Sequence, residues 1–291
     1  MNPRRVLVTG ADGQLAYYVA RAFAGSEVTA LNRRALDITD PAAVASMVAS
    51  LAPHVIVNCA AFNDVDGAED RPEQALALNA FAVRSLALAA ETAGATLVHY
   101  STDFVFDGRR TSQPYTEADA PAPRSTYASS KLMGEWFALD APRAFVLRVE
   151  SLFGSPAGWK GRRGTLDAIV DGLREGRAVR VFTDRVVSPS YTPDVAAATR
   201  HLVTSDAAPG LYHCVNDGQA TWEEVALESA RQLGVAPVLQ RTTSDTVVLK
   251  ASRPTYCALS PRKLAAAGFT MPSWQDALGR WLGPVVPHGS D

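Results

Sequence analysis

The first half of the chain is a succession of short apolar runs separated by longer stretches of mixed character. Val6-Leu7-Val8-Thr9 is followed at once by Gly10, and comparable runs recur at 28–31, 55–57, 97–100 and 145–149. Runs this short, apolar at consecutive positions, predict strands covered on both faces. Helix-length segments at 13–23, 41–51, 72–92 and 124–139 lie between them, and Pro41 and Pro72 open two of these at first-turn positions. Strand and helix alternate, so the predicted class is α/β, a doubly wound parallel sheet with helices on both faces.

After Gly154 the pattern loosens. A basic, glycine-broken loop at 159–164 precedes a helix to about 175, a strand at 179–182 and a loop holding Pro189 and Pro193. A helix at 194–203, a strand at 211–214, a helix at 222–233 and short helices at 261–267 and 273–282 follow. The expected organisation is a larger domain at 1–150, to which 184–213 returns, and a smaller lobe from 151–183 and 214–291.

Composition narrows the picture by exclusion. The 291 residues suffice for one large or two modest domains, at roughly 150 residues each. A content of 47% hydrophobic and 20% charged residues excludes disordered, collagenous and coiled-coil chains. Lys and Arg total 28 against 30 Asp and Glu, a net charge of −2 that offers no overall attraction to nucleic acid or acidic membranes. Cys59, Cys214 and Cys257 form no CxxC pair, so neither a disulfide framework nor a metal site is expected, and a reducing cytoplasm is the expected location. No apolar run approaches the roughly 20 residues of a membrane helix, because 75–90 is interrupted by Asn79 and Arg84. The opening Met-Asn-Pro-Arg-Arg leads too soon into the first strand for a signal peptide.

Chemistry enters with the segment Gly10-Ala11-Asp12-Gly13-Gln14-Leu15-Ala16, between the first strand and the first helix. There a dinucleotide pyrophosphate can meet free backbone N–H groups and a positive helix end. Gly10 suits the tight turn, Gly13 the approach of phosphate, and Ala16 the close packing of the helix; Asp12, Gln14 and Leu15 join the expected cofactor contacts. At the end of the second strand, where an acidic residue often receives the ribose 2′-hydroxyl, the chain reads Asn32-Arg33-Arg34. The two guanidinium groups suit a 2′-phosphate, or else are solvated surface arginines. Asp37 and Ile38 are placed to flank an adenine ring. Tyr127 and Lys131, four apart on a predicted helix, share one face, and Thr102 ends a buried strand on the side where such sheets bind ligands. Together they offer a proton donor, a cation that lowers its pKa and holds the nicotinamide ribose, and a hydroxyl for a substrate carbonyl.

With these motifs in this order, the chain resembles the extended short-chain dehydrogenase/reductases, and among them the dTDP-4-dehydrorhamnose reductase group. The resemblance runs nearly end to end. It is carried by residues 8–15, Leu36-Asp37-Ile38-Thr39-Asp40, Asn58-Cys59-Ala60-Ala61, Ala77-Leu78-Asn79-Ala80, Ser101-Thr102-Asp103-Phe104-Val105-Phe106-Asp107-Gly108, Tyr127-Ala128-Ser129-Ser130-Lys131, Ser188-Pro189-Ser190-Tyr191 and Arg253-Pro254. It implies a Rossmann-type fold with a C-terminal substrate-binding lobe, and reduction of the 4-keto group of a nucleotide-linked 6-deoxysugar by NADPH, with NADH as the alternative. It also implies Thr102, Tyr127 and Lys131 as the catalytic set, Asp103 beside the sugar, and Cys59, Ala60, Ala61 and Asn79 on the cofactor side. Whether two copies pair as a homodimer is left open.

Departures from the family pattern bear on the sugar. Where relatives carry Arg-Thr-Ser-Trp, this chain has Arg148-Val149-Glu150-Ser151, so Ser151 stands in place of an aromatic wall, and Phe104 replaces the usual Tyr. Asp103 is followed by Phe104 rather than by Glu, so the acid/base pair of the related dehydratases is lacking. Lys160, Arg162, Arg163 and Arg253 are candidates for neutralising a nucleotide diphosphate, against the alternative of a solvated basic loop. Trp159, Trp222, Trp274 and Trp281 are assigned to packing, as are His99 and Cys59. Two rival functions remain: a nucleotide-sugar epimerase with retained NAD, and a non-catalytic NADP-binding regulatory subunit.

Overall fold

The apolar runs of the first half become β1 (Arg5–Thr9), β2 (Glu27–Leu31), β3 (Val55–Asn58), β4 (Thr96–Thr102) and β5 (Ala144–Val149), in a computed structural model that describes residues 5–156, 158–159, 161 and 163–283. Every residue of β3, β4 and β5 is buried, as expected of strands sandwiched between helices. The helices between them are α1 (Gln14–Ala22), α2 (Pro41–Leu51), α3 (Val65–Asp70), α4 (Pro72–Leu76), α5 (Ala82–Ala93) and α6 (Thr126–Leu139). Asp40 caps α2, accepting from the N–H groups of Ala42 and Ala43, and Ser125 caps α6, accepting from Ala128 N–H.

The second half supplies β6 (Leu152–Phe153), α7 (Thr165–Arg174), β7 (Val179–Phe182), β8 (Val186–Val187), β9 (Ser190–Tyr191), α8 (Thr192–Thr204) and β10 (Gly210–His213). It ends with β11 (Ala220–Thr221), α9 (Trp222–Leu233), β12 (Leu239–Thr242), α10 (Arg262–Ala266) and α11 (Trp274–Leu282). The main sheet has the order β2-β1-β3-β4-β5-β10 with every pairing parallel. The winding direction reverses between β1 and β3, and this opens a crevice at their C-terminal ends. Gly10, at φ +69°, turns there; a Cβ on it would fall 2.6 Å from Ala60 N, so the loops after β1 and β3 touch. Beneath the crevice, Thr9, Asn58 and His99 lie in register across three strands. The Thr9 hydroxyl donates to Asn58 Oδ1 (2.7 Å), and Asn58 Nδ2 donates to His99 Nδ1 (3.2 Å).

The helix expected over 72–92 forms with a π-helical turn, Ala77–Phe81, between α4 and α5. This turn meets α6, which comes so close that a Cβ on Gly134 would fall 2.1 Å from Asn79 O. The helical run Pro72–Ala93 is 22 residues long and passes a membrane span's test of length and composition, contrary to the sequence expectation. Half of it is nonetheless buried inside the protein, with Val83, Leu86 and Ala90 in the core beside β3 and β4.

β10 extends the sheet beside β5, and α8 joins α1 in one core. Leu264 of α10 and Met271 enter that same core, so this stretch of the C-terminal third packs on the sheet and not on the lobe. The lobe's own core comprises α7, α9 and α11 with β7, and holds Trp222 and Trp274, with Trp281 packed against it.

Candidate active site

At the C-terminal ends of β1, β3 and β4 lies a cleft of about 420 Å³ whose walls include Gln14, Leu15, Thr102, Asp103, Tyr127 and Lys131. Its size is that of a small-molecule site. Thr102 is the last residue of β4, while Tyr127 and Lys131 occupy the first two turns of α6. The start of α6 is anchored from outside: Thr126 donates its backbone N–H and its hydroxyl to the two oxygens of Glu69, each at 2.8 Å. These bonds, with the Ser125 cap, set the register that aims Tyr127 into the cleft.

Lys131 is buried and its Nζ donates to Tyr100 O. Loss of water lowers its pKa to about 8, a fall that the carboxylate of Glu135, one turn on, partly offsets. Behind it, burial first and Lys131 second hold His99 well below the ordinary imidazole range, so His99 is a neutral core histidine. The Thr102 hydroxyl donates to Asp103 Oδ1 (3.0 Å) and accepts from Phe104 N–H (3.2 Å). Phe104 does not line the cleft; its ring meets Tyr127 edge to face, 6.0 Å between centroids, and so backs the phenol.

A second cavity, about 480 Å³, shares Asp12, Gly13, Cys59, Ala60, Ala61 and Asn63 with the first, making one elongated groove. It is also lined by Gly10, Arg33, Leu36, Asp37 and Ile38. The groove fits a dinucleotide on one specific observation: α1 begins at Gly13 with no side-chain cap and no acidic residue in its first turn. The N–H groups there are open to an anion, whereas side chains fill that place at α2, α6, α9 and α11. Cys59 lines both cavities, with its thiol pushed up by burial.

Three expected cofactor residues are not brought to the groove. Asn32 accepts from the backbone N–H groups of Arg34 and Ala35 and so shapes the turn after β2, which carries Arg34 outward. Arg33 alone of the two arginines lines the cavity, 3.5 Å from Asp37. The Asn79 amide is fully engaged inside the protein: Oδ1 accepts from Phe62 N–H (2.8 Å), and Nδ2 donates to Phe62 O (3.1 Å) and Ser130 Oγ (3.0 Å). It ties the loop after β3 to α6 across the π-helical turn, a place where such turns often mark functional sites.

On the substrate side, Ser151 lines the cleft at φ +43°, a left-handed conformation that few residues other than glycine adopt. Trp159, assigned to packing from sequence, lines the cleft instead. Its ring lies on Gly161, where a Cβ would fall 2.5 Å from Trp159 Cζ2, so an aromatic wall is present but comes from a different segment. Arg163 also lines the cleft, with its guanidinium 2.7 Å from Asp171. Arg253 does not; Asp66 holds it at 2.9 Å. Lys160 and Arg162 lie outside the described residues. Sequence reasoning also passed over Arg71, which lines the Arg33 cavity and stacks on Phe62 at 5.0 Å; no local motif marks it.

Comparison with known proteins agrees with this geometry. Residues 4–286 match the family model described as the RmlD substrate binding domain. A dTDP-4-dehydrorhamnose reductase of Streptomyces griseus is 38% identical over 94% of this chain and 91% of its own. The spore coat polysaccharide biosynthesis protein SpsK of Bacillus subtilis (strain 168) is 33% identical over 96% of both chains. The crystal structure of dTDP-4-dehydrorhamnose reductase from Bacillus anthracis in complex with NADP superposes with a TM-score of 0.89 at 30% identity, covering 96% of this chain and 99% of that one. The chain belongs to the RmlD substrate binding domain family.

Proposed function

We propose that the protein is an NADPH-dependent reductase of the 4-keto group of a nucleotide-linked 6-deoxysugar. The observation that carries this reading is the meeting of Thr102, Tyr127 and Lys131 in one cleft that continues into the groove along the open start of α1. The relatives named as dTDP-4-dehydrorhamnose reductases, and the NADP complex of one of them, support it.

NADPH would lie along the groove, its pyrophosphate at the N–H groups of Gln14 and Leu15, its 2′-phosphate toward Arg33 and its adenine by Ile38. When bound it supplies a hydride to the sugar C4. The Thr102 hydroxyl donates a hydrogen bond to the C4 oxygen, and Tyr127 gives that oxygen its proton as negative charge develops. The Lys131 ammonium stabilises the phenolate left on Tyr127 and holds the nicotinamide ribose. Asp103, Ser151, Trp159 and Arg163 would face the sugar nucleotide. In this reading 1–150 with α8 and β10 holds the dinucleotide, and the lobe holds the substrate. A purely regulatory subunit has no need of the proton donor, and an epimerase would keep its NAD, whereas the NADP-bound relative points to an exchanged cofactor.

The test is NADPH oxidation with 4-keto sugars generated in situ from dTDP-, GDP- and UDP-sugars. Consumption of NADPH with at least one of them, abolished in Tyr127→Phe, is the expected result.

A further inference from the structure

Beside Thr102 stands a buried cluster of which the proposed mechanism uses only Asp103. One oxygen of Asp103, one of Glu150 and the thiol sulfur of Cys257 lie within 4.8 Å of one another, and the three residues are 3%, 2% and 4% exposed. Glu150 follows β5 and is held from the loop between β8 and β9: Ser188 N–H donates to its Oε2 (2.7 Å), and its own N–H donates to Ser190 Oγ (3.2 Å). Its Oε1 has no partner, and neither has Oδ2 of Asp103. Two carboxylates this close together in the interior would repel if both were ionised. A single proton held between the two groups removes that repulsion.

We propose that Asp103 and Glu150 share a proton, and that through it Glu150 positions the hydrogen of the Thr102 hydroxyl. Resting on the functional reading above, this gives a role to a carboxylate that stands where relatives have Ser. Thr102 has one hydroxyl hydrogen, which in this structure goes to Asp103 Oδ1, while the same oxygen accepts from Phe104 N–H. An ionised Asp103 holds that hydrogen through a charge-assisted bond. With the proton on Oδ2, the Oδ1 atom is a weaker, neutral acceptor, and the hydroxyl is free to donate into the cleft.

The surrounding groups agree. Burial raises the Asp103 pKa to about 7, and burial together with the Asp103 charge raises Glu150 well above its ordinary value. The Cys257 thiol is pushed up in the same way and stays neutral. Arg185 faces Asp103 and Cys257, and Tyr256 faces Glu150; one guanidinium cannot offset two carboxylates.

Two measurements on the full-length protein test this, with Glu150→Gln and Glu150→Asp. Infrared spectra at neutral pH should show a protonated-carboxyl C=O band in the wild type that is lost in Glu150→Gln. In that variant Asp103 no longer faces a second carboxylate and ionises at lower pH. The limb on which kcat/KM falls with rising pH should therefore move down by about one unit, lowering kcat/KM about tenfold on that limb. Glu150→Asp should restore the wild-type profile. Absence of the band, superposed pH profiles, or a stoichiometric divalent metal in the purified protein would each overturn the proposal. If the wild type reduces no 4-keto sugar, the functional reading fails by itself, and the band alone decides the shared proton.

Discussion

Arg148 and Glu135 form a two-pronged ion pair in the interior, Nε to Oε1 at 2.8 Å and Nη2 to Oε2 at 2.7 Å, with side chains only 3% and 2% exposed. The pair clamps α6 to β5 one turn beyond Lys131, so it fixes the helix that carries the proposed proton donor. Removing one partner leaves a buried charge uncompensated. Glu135→Leu should therefore destabilise by about 3–5 kcal/mol, whereas Glu135→Leu with Arg148→Met should recover much of the loss. Chemical denaturation of the two variants checks this, and additive losses would contradict it.

Lys131 makes stability depend on pH in a defined window. Its pKa is about 8 in the folded protein against 10.5 ordinarily. Between those values the unfolded chain binds more protons, so the group's contribution grows with rising pH and is lost as pH falls through 8. At pH 7 the buried ammonium costs on the order of 3 kcal/mol, part of which its bond to Tyr100 O returns. Lys131→Met should then be more stable than wild type by about 2 kcal/mol near neutrality, with the gap closing above pH 8, while turnover and NADPH binding are both lost. Denaturation midpoints at several pH values decide it; a gap that does not change with pH counts against the assignment.

The two arginines after β2 should separate. Arg33→Ala is expected to weaken NADPH by about 1.5–3 kcal/mol and leave NADH nearly unchanged, whereas Arg34→Ala should alter neither. Calorimetric titration with both dinucleotides measures this. Equal losses for NADPH and NADH in Arg33→Ala would mean that it does not meet a 2′-phosphate.

Much of this was open to reading from the chain, and the exceptions have physical causes. β1, β3, β4 and β5 announced themselves through consecutive apolar residues, the mark of strands buried on both faces, although Asn58, His99 and Arg148 interrupt them. The two-residue strands β6, β8, β9 and β11 carry no periodicity and exist only through their partners. The glycine loop, Thr102, Tyr127 and Lys131 are local motifs and fall on the groove. Arg33 and Arg34 are adjacent, and only the turn shaped by Asn32 separates their directions. Glu150 gains its position from the distant Ser188 segment, and Trp159 meets the cleft only through the fold of its loop, neither of which a spacing rule reaches.

Trp159 opens a test of substrate range. With Ser151 at the family's Trp position, Trp159 supplies an aromatic wall of the cleft, so Trp159→Ala should raise KM for the sugar nucleotide more than it lowers kcat. Ser151→Trp should shift kcat/KM toward the dTDP-4-keto-L-rhamnose precursor relative to bulkier 4-keto sugars. An unchanged ratio in both variants would remove this part of the pocket from the account.

The central claim is reduction by NADPH with Tyr127 as the proton donor. It is tested most directly by the rate of NADPH oxidation with dTDP-4-keto-L-rhamnose precursor and its GDP- and UDP-linked counterparts, for wild type and Tyr127→Phe side by side. The account predicts stoichiometric NADPH consumption and formation of the 4-hydroxy sugar by the wild type, with turnover lower by about 10²-fold or more in Tyr127→Phe and NADPH affinity nearly unchanged. A wild type that consumes no NADPH with any of these sugars, or a Tyr127→Phe enzyme that turns over as fast as wild type, would contradict it.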